Sequence, residues 1–143
     1  DYAFSYTETH PLEPISDYPY TANDGYCNYS SSKGTGSISS YYDVPKTATG
    51  LNKLLTLELF LLPSKLTNLA SNTAGGVLTS SECGTNLDHG VLAVGYGVDS
   101  ESGLEYALVK NSWGSSWGAG GYVKIGLADN ACGILNAASY PIV

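Results

Sequence analysis

The clearest hydrophobic pattern lies in the last third of the chain. Val91-Leu92-Ala93-Val94-Gly95-Tyr96-Gly97 is an apolar run stopped by glycines, which reads as a buried strand. Glu105-Tyr106-Ala107-Leu108-Val109-Lys110 gives a second strand and Gly121-Tyr122-Val123-Lys124-Ile125 a third. A turn over residues 98–103 makes the first two antiparallel neighbours. At the other end, Tyr2 and Tyr6 stand four apart and predict a helix over residues 1–9, although Phe4 falls on another face. Pro11, Pro14 and Pro19 then impose extended or turn structure, and the Ser/Gly-rich run over residues 30–37 reads as loop. Ser40-Tyr41-Tyr42-Asp43-Val44 predicts a short strand ended by Pro45, with a domain boundary nearby. Leu51 to Leu62 is ambiguous between a buried helix and an anomalous apolar segment.

Composition adjusts this picture only slightly. Seventeen glycines and twelve tyrosines favour a turn-rich, β-rich fold, and 43% hydrophobic with 13% charged residues marks a folded chain. Thirteen acidic residues face six lysines and no arginine, for a net charge of -7. Such a surface cannot neutralise a run of phosphates, which argues against a nucleic-acid partner. The longest apolar stretch, Leu54 to Pro63, contains Thr56 and Glu58 and is too short to span a membrane. The three cysteines, Cys27, Cys83 and Cys132, form an odd set, implying a free thiol or a missing partner. Asn28-Tyr29-Ser30 fits a glycan-acceptor pattern, of a kind that also arises by chance.

The candidate chemistry comes from His89 and Asn111. His89 sits at the mouth of the first strong strand, and Asn111 follows the second strand directly. Antiparallel pairing therefore brings the two to the same edge of a sheet. A histidine that acts first as base and then as acid needs one ring nitrogen free for the nucleophile. An amide oxygen on the other nitrogen fixes its tautomer and orientation. Trp113 and Trp117, four apart in a glycine-rich loop, are placed to cover that hydrogen bond and keep water off it. Each residue alone has a plain structural explanation: a satisfied histidine, a turn-capping asparagine, two packing tryptophans. Their combination and order carry the signal.

On these residues the chain resembles the papain-like cysteine proteases. The run from Asn86 through His89 to Gly97 is similar to the histidine motif of that family. The run from Val109 through Asn111 to Gly114, with Trp117-Gly118 and Gly120-Gly121-Tyr122, is similar to its asparagine motif. Cys132-Gly133-Ile134 and Ala137-Ala138-Ser139-Tyr140-Pro141 resemble the end of cathepsin L-like members, and Asp17-Tyr18-Pro19-Tyr20 resembles their Tyr-Pro-Tyr segment. The resemblance implies an α+β papain-like fold. Residues 1–43 would be the C-terminal remnant of the helical left domain, and residues 44–143 the right, β-barrel domain. It implies peptide or protein substrates and a lysosomal or secreted setting, with no metal or organic cofactor. His89 becomes the general base and acid, Asn111 its orienting partner, and Trp113 and Trp117 their shield. Asp88, Gly90 and Ala137 fall at positions around the primary specificity pocket. Cys83 and Cys132 match a family disulfide.

The match breaks at the nucleophile. In the family it lies about 130 residues before the histidine, in a Cys-Gly-Ser-Cys-Trp-like run. Only 88 residues precede His89 here, and no such run occurs. Cys27 matches a structural cysteine whose partner would lie before Asp1. The chain is thus expected to be the C-terminal part of a cysteine endopeptidase, inactive without missing N-terminal polypeptide that bears the thiol. A non-catalytic papain-like relative that binds peptides or proteins is the rival reading, and one half of a two-chain enzyme is a third. A further departure lies within residues 53–73, where a Pro-Val-Ser-Val-Ala-like strand is expected. A synonymous coding of Phe60–Thr73, read one base earlier, yields Val-Ser-Val-Ala-Ile-Glu, as a frameshift would produce. The alternative is a divergent segment with a buried helix through Leu51, Leu54, Leu55 and Glu58, and the coding DNA distinguishes the two.

Overall fold

The structure, a computed structural model, describes residues 1–55, 60–64 and 75–143, with the backbone alone at 53–55 and 60–64. Most of the segment in which a frameshift is suspected lies outside the described residues. The chain forms two compact units, Asp1–Tyr42 with Pro141–Val143, and Asp43–Tyr140.

In the first unit, helix α1 spans Tyr2–Thr9. Its buried Thr7 returns its hydroxyl to the carbonyl of Ala3 at 2.8 Å, as a threonine inside a helix can. Phe4 faces Tyr41 with ring centroids 5.7 Å apart, while Tyr6 stacks on His10 at 4.4 Å. The proline-rich stretch that follows is irregular, a bridge joins Leu12 to Gly36, and the run expected to be loop holds one short 3-10 helix, Ser31–Lys33. Strand β1, Ser40–Asp43, closes the segment. The C-terminal residues return to this unit, where Ser39 donates both its backbone N–H and its hydroxyl to the carbonyl of Ile142.

The second unit begins with helix α2, Ala48–Leu55, so the ambiguous apolar segment is helical in its first part. Thr47 precedes it and accepts the Gly50 N–H on its hydroxyl at 3.0 Å, satisfying one of the N–H groups a helix start leaves free. Leu51 is fully buried. The strands are β2 (Phe60–Ser64), β3 (Val77–Leu78), β4 (His89–Val98), β5 (Glu105–Lys110), β6 (Tyr122–Gly126) and β7 (Ser139–Ile142). The backbone of β2 runs antiparallel to β4, so the position beside β4 is occupied in the chain as written. β4, β5 and β6 follow as an antiparallel meander, and β3 adds to β6 in parallel. Ser139 of β7 pairs with Leu61 on the other side of β2.

Alternation builds the core. Ala107 and Val109 on β5 lie opposite Ile125 and Val123 on β6, and Val109 lies opposite Ala93 on β4, all buried. These residues fill one face of the sheet at period two. Leu127, Ile134 and Leu135 from the chain after β6 complete the cluster. Cys132, wholly buried among them, is joined to Cys83 by a disulfide.

The turn between β4 and β5 is closed by Asp99. One carboxylate oxygen accepts the Ser102 N–H at 3.0 Å and the Ser102 hydroxyl at 2.8 Å. The other accepts the Lys124 ammonium at 2.6 Å, from β6. The lysine hydrogen bond, followed by those from Ser102, holds the Asp99 carboxyl well below the usual carboxylate range.

Candidate active site

His89 opens β4 and Asn111 follows the last residue of β5. Between Val98↔Glu105 and Gly95↔Leu108 the two strands keep one register. At Ala93↔Val109 and Leu92↔Lys110 it has shifted by a residue, leaving Val94 without a partner. That extra residue is a β-bulge, and it decides which face His89 takes. Because side chains alternate, a one-residue change of register exchanges the two faces of a strand. Carried one step past the last pair, Leu92↔Lys110, the shifted register sets Val91 on the face of Asn111, and His89, two residues earlier, shares that face. Had the register of the hairpin tip continued, Gly90 and Leu92 would line that face and His89 the other.

The result is a direct contact: His89 Nε2 lies 2.9 Å from Asn111 Oδ1. The same oxygen accepts the backbone N–H of Ser112 at 2.7 Å. An atom that receives a backbone N–H must be the amide oxygen and not the nitrogen, so Nε2 of the imidazole is the donor. The proton of the neutral ring therefore sits on Nε2, leaving the Nδ1 lone pair available. No group among the described residues hydrogen-bonds to Nδ1. Asn111 is 6% exposed, and its own N–H donates to the Gly121 carbonyl at 2.9 Å. Gly121 has φ +95°, and a Cβ there would stand 3.3 Å from the Gly114 carbonyl oxygen. The glycine lets the loop double back to receive Asn111.

Trp113 stacks on the imidazole at 4.9 Å with planes 22° apart, and Trp117 meets Trp113 edge-on at 5.4 Å. Trp113 is 40% exposed and forms the outer cover, whereas Trp117 packs against the core. His89, Asn111, Trp113 and Trp117 thus form one connected cluster. Asp88 and Gly90 flank His89 along the chain and are both exposed; Gly90 lies opposite Pro63 of β2. Ala137 is exposed on the link into β7. Cys83 and Cys132 are bonded to each other, and Cys27 is an exposed free thiol in the first unit. Among the described residues no group of three or more His, Cys, Asp or Glu is arranged to hold a metal ion.

Two parts of the site escaped the sequence reading. The bulge at Val94 had a signal, since a glycine inside an apolar strand marks bulges and Gly95 adjoins it. The Ser112 N–H had none, because backbone donors carry no sequence signature.

An imidazole held by an asparagine oxygen under two tryptophans, at the edge of an antiparallel sheet, has one ring nitrogen fixed and the other open to take up and return a proton. The statistical model of the family described as "Papain family cysteine protease" matches residues 1–142. The chain belongs to this family and is by family a cysteine-type peptidase with the α+β papain-like fold. Its relatives are cathepsin L and plant cysteine proteases. It is 39% identical to procathepsin L of Mus musculus, over all of this chain and 45% of that protein. It is 41% identical to cysteine protease 1 of Oryza sativa subsp. japonica, over 92% of this chain and 28% of that protein. Digestive procathepsin L 3 from the larval midgut of Tenebrio molitor matches in structure with a TM-score of 0.86 at 36% identity, covering 100% of this chain and 48% of that one. The chain therefore spans less than half the length of these relatives.

Proposed function

We propose that this chain is the acid–base part of a cysteine endopeptidase, and that the attacking sulfur comes from polypeptide outside this sequence. One observation carries the reading: the 2.9 Å contact from His89 Nε2 to Asn111 Oδ1, which leaves Nδ1 unengaged. In the mechanism, Nδ1 takes the thiol proton, giving a thiolate beside an imidazolium whose Nε2–H remains on Asn111. The thiolate adds to a peptide carbonyl. As the tetrahedral adduct collapses, Nδ1 returns the proton to the leaving amine and a thioester remains. Water, deprotonated by Nδ1, then attacks the thioester and releases the acid and the thiol. Trp113 and Trp117 keep water off the Nε2 hydrogen bond throughout. The Cys83–Cys132 disulfide and the cathepsin L-like relatives support a lysosomal or secreted location.

The test joins this chain to the polypeptide encoded upstream of Asp1 and follows peptide hydrolysis and labelling by a thiol-directed epoxide. Both are expected, and His89→Ala should lower kcat by about 10²- to 10⁴-fold. His89-dependent labelling of the present chain alone would refute the external thiol. A serine or glycine at the nucleophile position, with peptide binding but no hydrolysis, would instead establish a non-catalytic binding module. In the complete enzyme, Ala137 belongs to the wall of the primary specificity pocket, alongside Asp88 and Gly90. Ala137→Glu is expected to shift preference toward basic side chains, and an unchanged preference would remove Ala137 from the pocket.

A further inference from the structure

Asn28-Tyr29-Ser30 is the only Asn-x-Ser/Thr tripeptide in the 143 residues, and the proposed function makes no use of it. Such tripeptides recur by chance, so surroundings must decide what this one does. Asn28 is exposed and lies in a stretch without regular secondary structure. Its backbone N–H donates to the Tyr18 hydroxyl at 3.2 Å, which ties down the main chain. Its side-chain amide has no hydrogen-bond partner among the described residues. Four other asparagines are engaged: Asn111 Oδ1 is committed to His89, Asn130 and Asn136 bond to each other, and Asn23 donates to the Thr21 carbonyl. Two residues on, the Ser30 hydroxyl stays near the surface, 3.0 Å from the hydroxyl of Ser32. The folded chain can therefore carry a bulky polar group on Asn28 without breaking a contact. The Cys83–Cys132 disulfide requires an oxidising compartment, and the secretory lumen, where such glycans are attached, is one.

We propose that Asn28 is an acceptor for an N-linked oligosaccharide. The donor is an oligosaccharide carried on a lipid pyrophosphate, and a host transferase reads the Ser30 hydroxyl. Asn28 Nδ2 attacks the anomeric carbon, a C–N bond forms as the C–O bond to the pyrophosphate breaks, and the amide proton passes to a transferase base. The lipid pyrophosphate leaves with the bonding electrons, and nothing is oxidised or reduced. The proposal requires passage through the secretory route but no catalytic activity, so it stands or falls apart from the peptidase reading.

The test expresses the full chain behind a secretory leader in insect cells, with a second acceptor tripeptide appended at the C-terminus. Only molecules whose appended acceptor is occupied are scored, so lumenal passage is guaranteed for each. Lysate and medium are pooled, denatured and digested with peptide N-glycosidase F. The expected result is a two-glycan mobility shift, with residue 28 recovered as aspartate in the peptide mass spectrum. Asn28→Gln and Ser30→Ala should each reduce the shift to one glycan, and Ser30→Thr should keep both. Molecules glycosylated at the appended site alone, or an unchanged shift in Asn28→Gln, would overturn the proposal. Because the digest is made on denatured protein, a variant that fails to fold still gives its answer.

Discussion

Asn111 Oδ1 accepts from both His89 Nε2 and the Ser112 N–H, so it serves two purposes at once. The backbone donor fixes which way the amide faces, and the amide then fixes the proton on the imidazole. In the proposed mechanism the ring becomes an imidazolium, and this bond is then made to a charged group, worth about 1.5–3 kcal/mol. Asn111→Ala in the complete enzyme is therefore expected to lower kcat by about 10- to 150-fold. In the present chain the same substitution should abolish a slowly exchanging Nε2–H proton resonance. Persistence of that resonance would show that another group holds the ring. At this scale the sequence was informative, because His89 and Asn111 stand out by residue type beside strands. It was silent on Ser112 and Gly121, which act through backbone atoms.

Between elements, Val94 reconciles two registers that the hairpin must satisfy together. At the tip, Asp99 is fastened to Ser102 and to Lys124; at the base, Val91 and Ala93 are buried and His89 meets Asn111. Deleting Val94 removes the unpaired residue, so that Ala93↔Val109 and Gly95↔Leu108 follow each other in one unbroken ladder. Base and tip should both hold: the Nε2–H resonance survives, and Asp99 still contributes to stability. Loss of the resonance would show that the local twist of the bulge, and not register alone, aims His89 at Asn111. The Asp99 contribution itself has a defined pH window. Its folded value lies below its ordinary 3.8, so the stabilisation is complete above that pH and is lost as pH falls toward the folded value. Thermal unfolding should show wild type ahead of Asp99→Asn at neutral pH, with the gap closing below about pH 4. A gap independent of pH would mean that packing, not charge, is what Asp99 supplies. The sequence predicted the turn over residues 98–103, but nothing local in it points to Lys124.

Over the whole second unit, the disulfide joins the loop before β4 to the buried segment after β6, across 49 residues. Closing a loop of that length restricts the unfolded chain by about 4 kcal/mol on the chain-entropy argument. Reduction should lower the urea midpoint of this unit accordingly, and an unmoved midpoint would show that core packing alone holds Cys132 in place. Asp129 reinforces the same region by accepting the Ser80 N–H at 2.8 Å, a bond that depresses its carboxyl pKa. In the first unit Glu13 makes the matching bond by accepting the Ser30 N–H at 2.6 Å, while the unit's tyrosines are largely at the surface: Tyr2, Tyr20 and Tyr26 are each more than four-fifths exposed.

Periodicity and residue type alone determined where β4, β5 and β6 run, that α1 is a helix, and that a histidine and an asparagine terminate neighbouring strands. These features are local: an apolar run and alternation mark the strands, the four-residue spacing of Tyr2 and Tyr6 marks the helix, and neither refers to the rest of the molecule. Tertiary structure decided the rest: which face His89 takes, which nitrogen carries its proton, that Lys124 reaches Asp99, and that Ile142 returns to Ser39. Each of these depends on an offset of one residue or on a partner far along the chain, and only tertiary packing selects among the possibilities that the local pattern leaves equal.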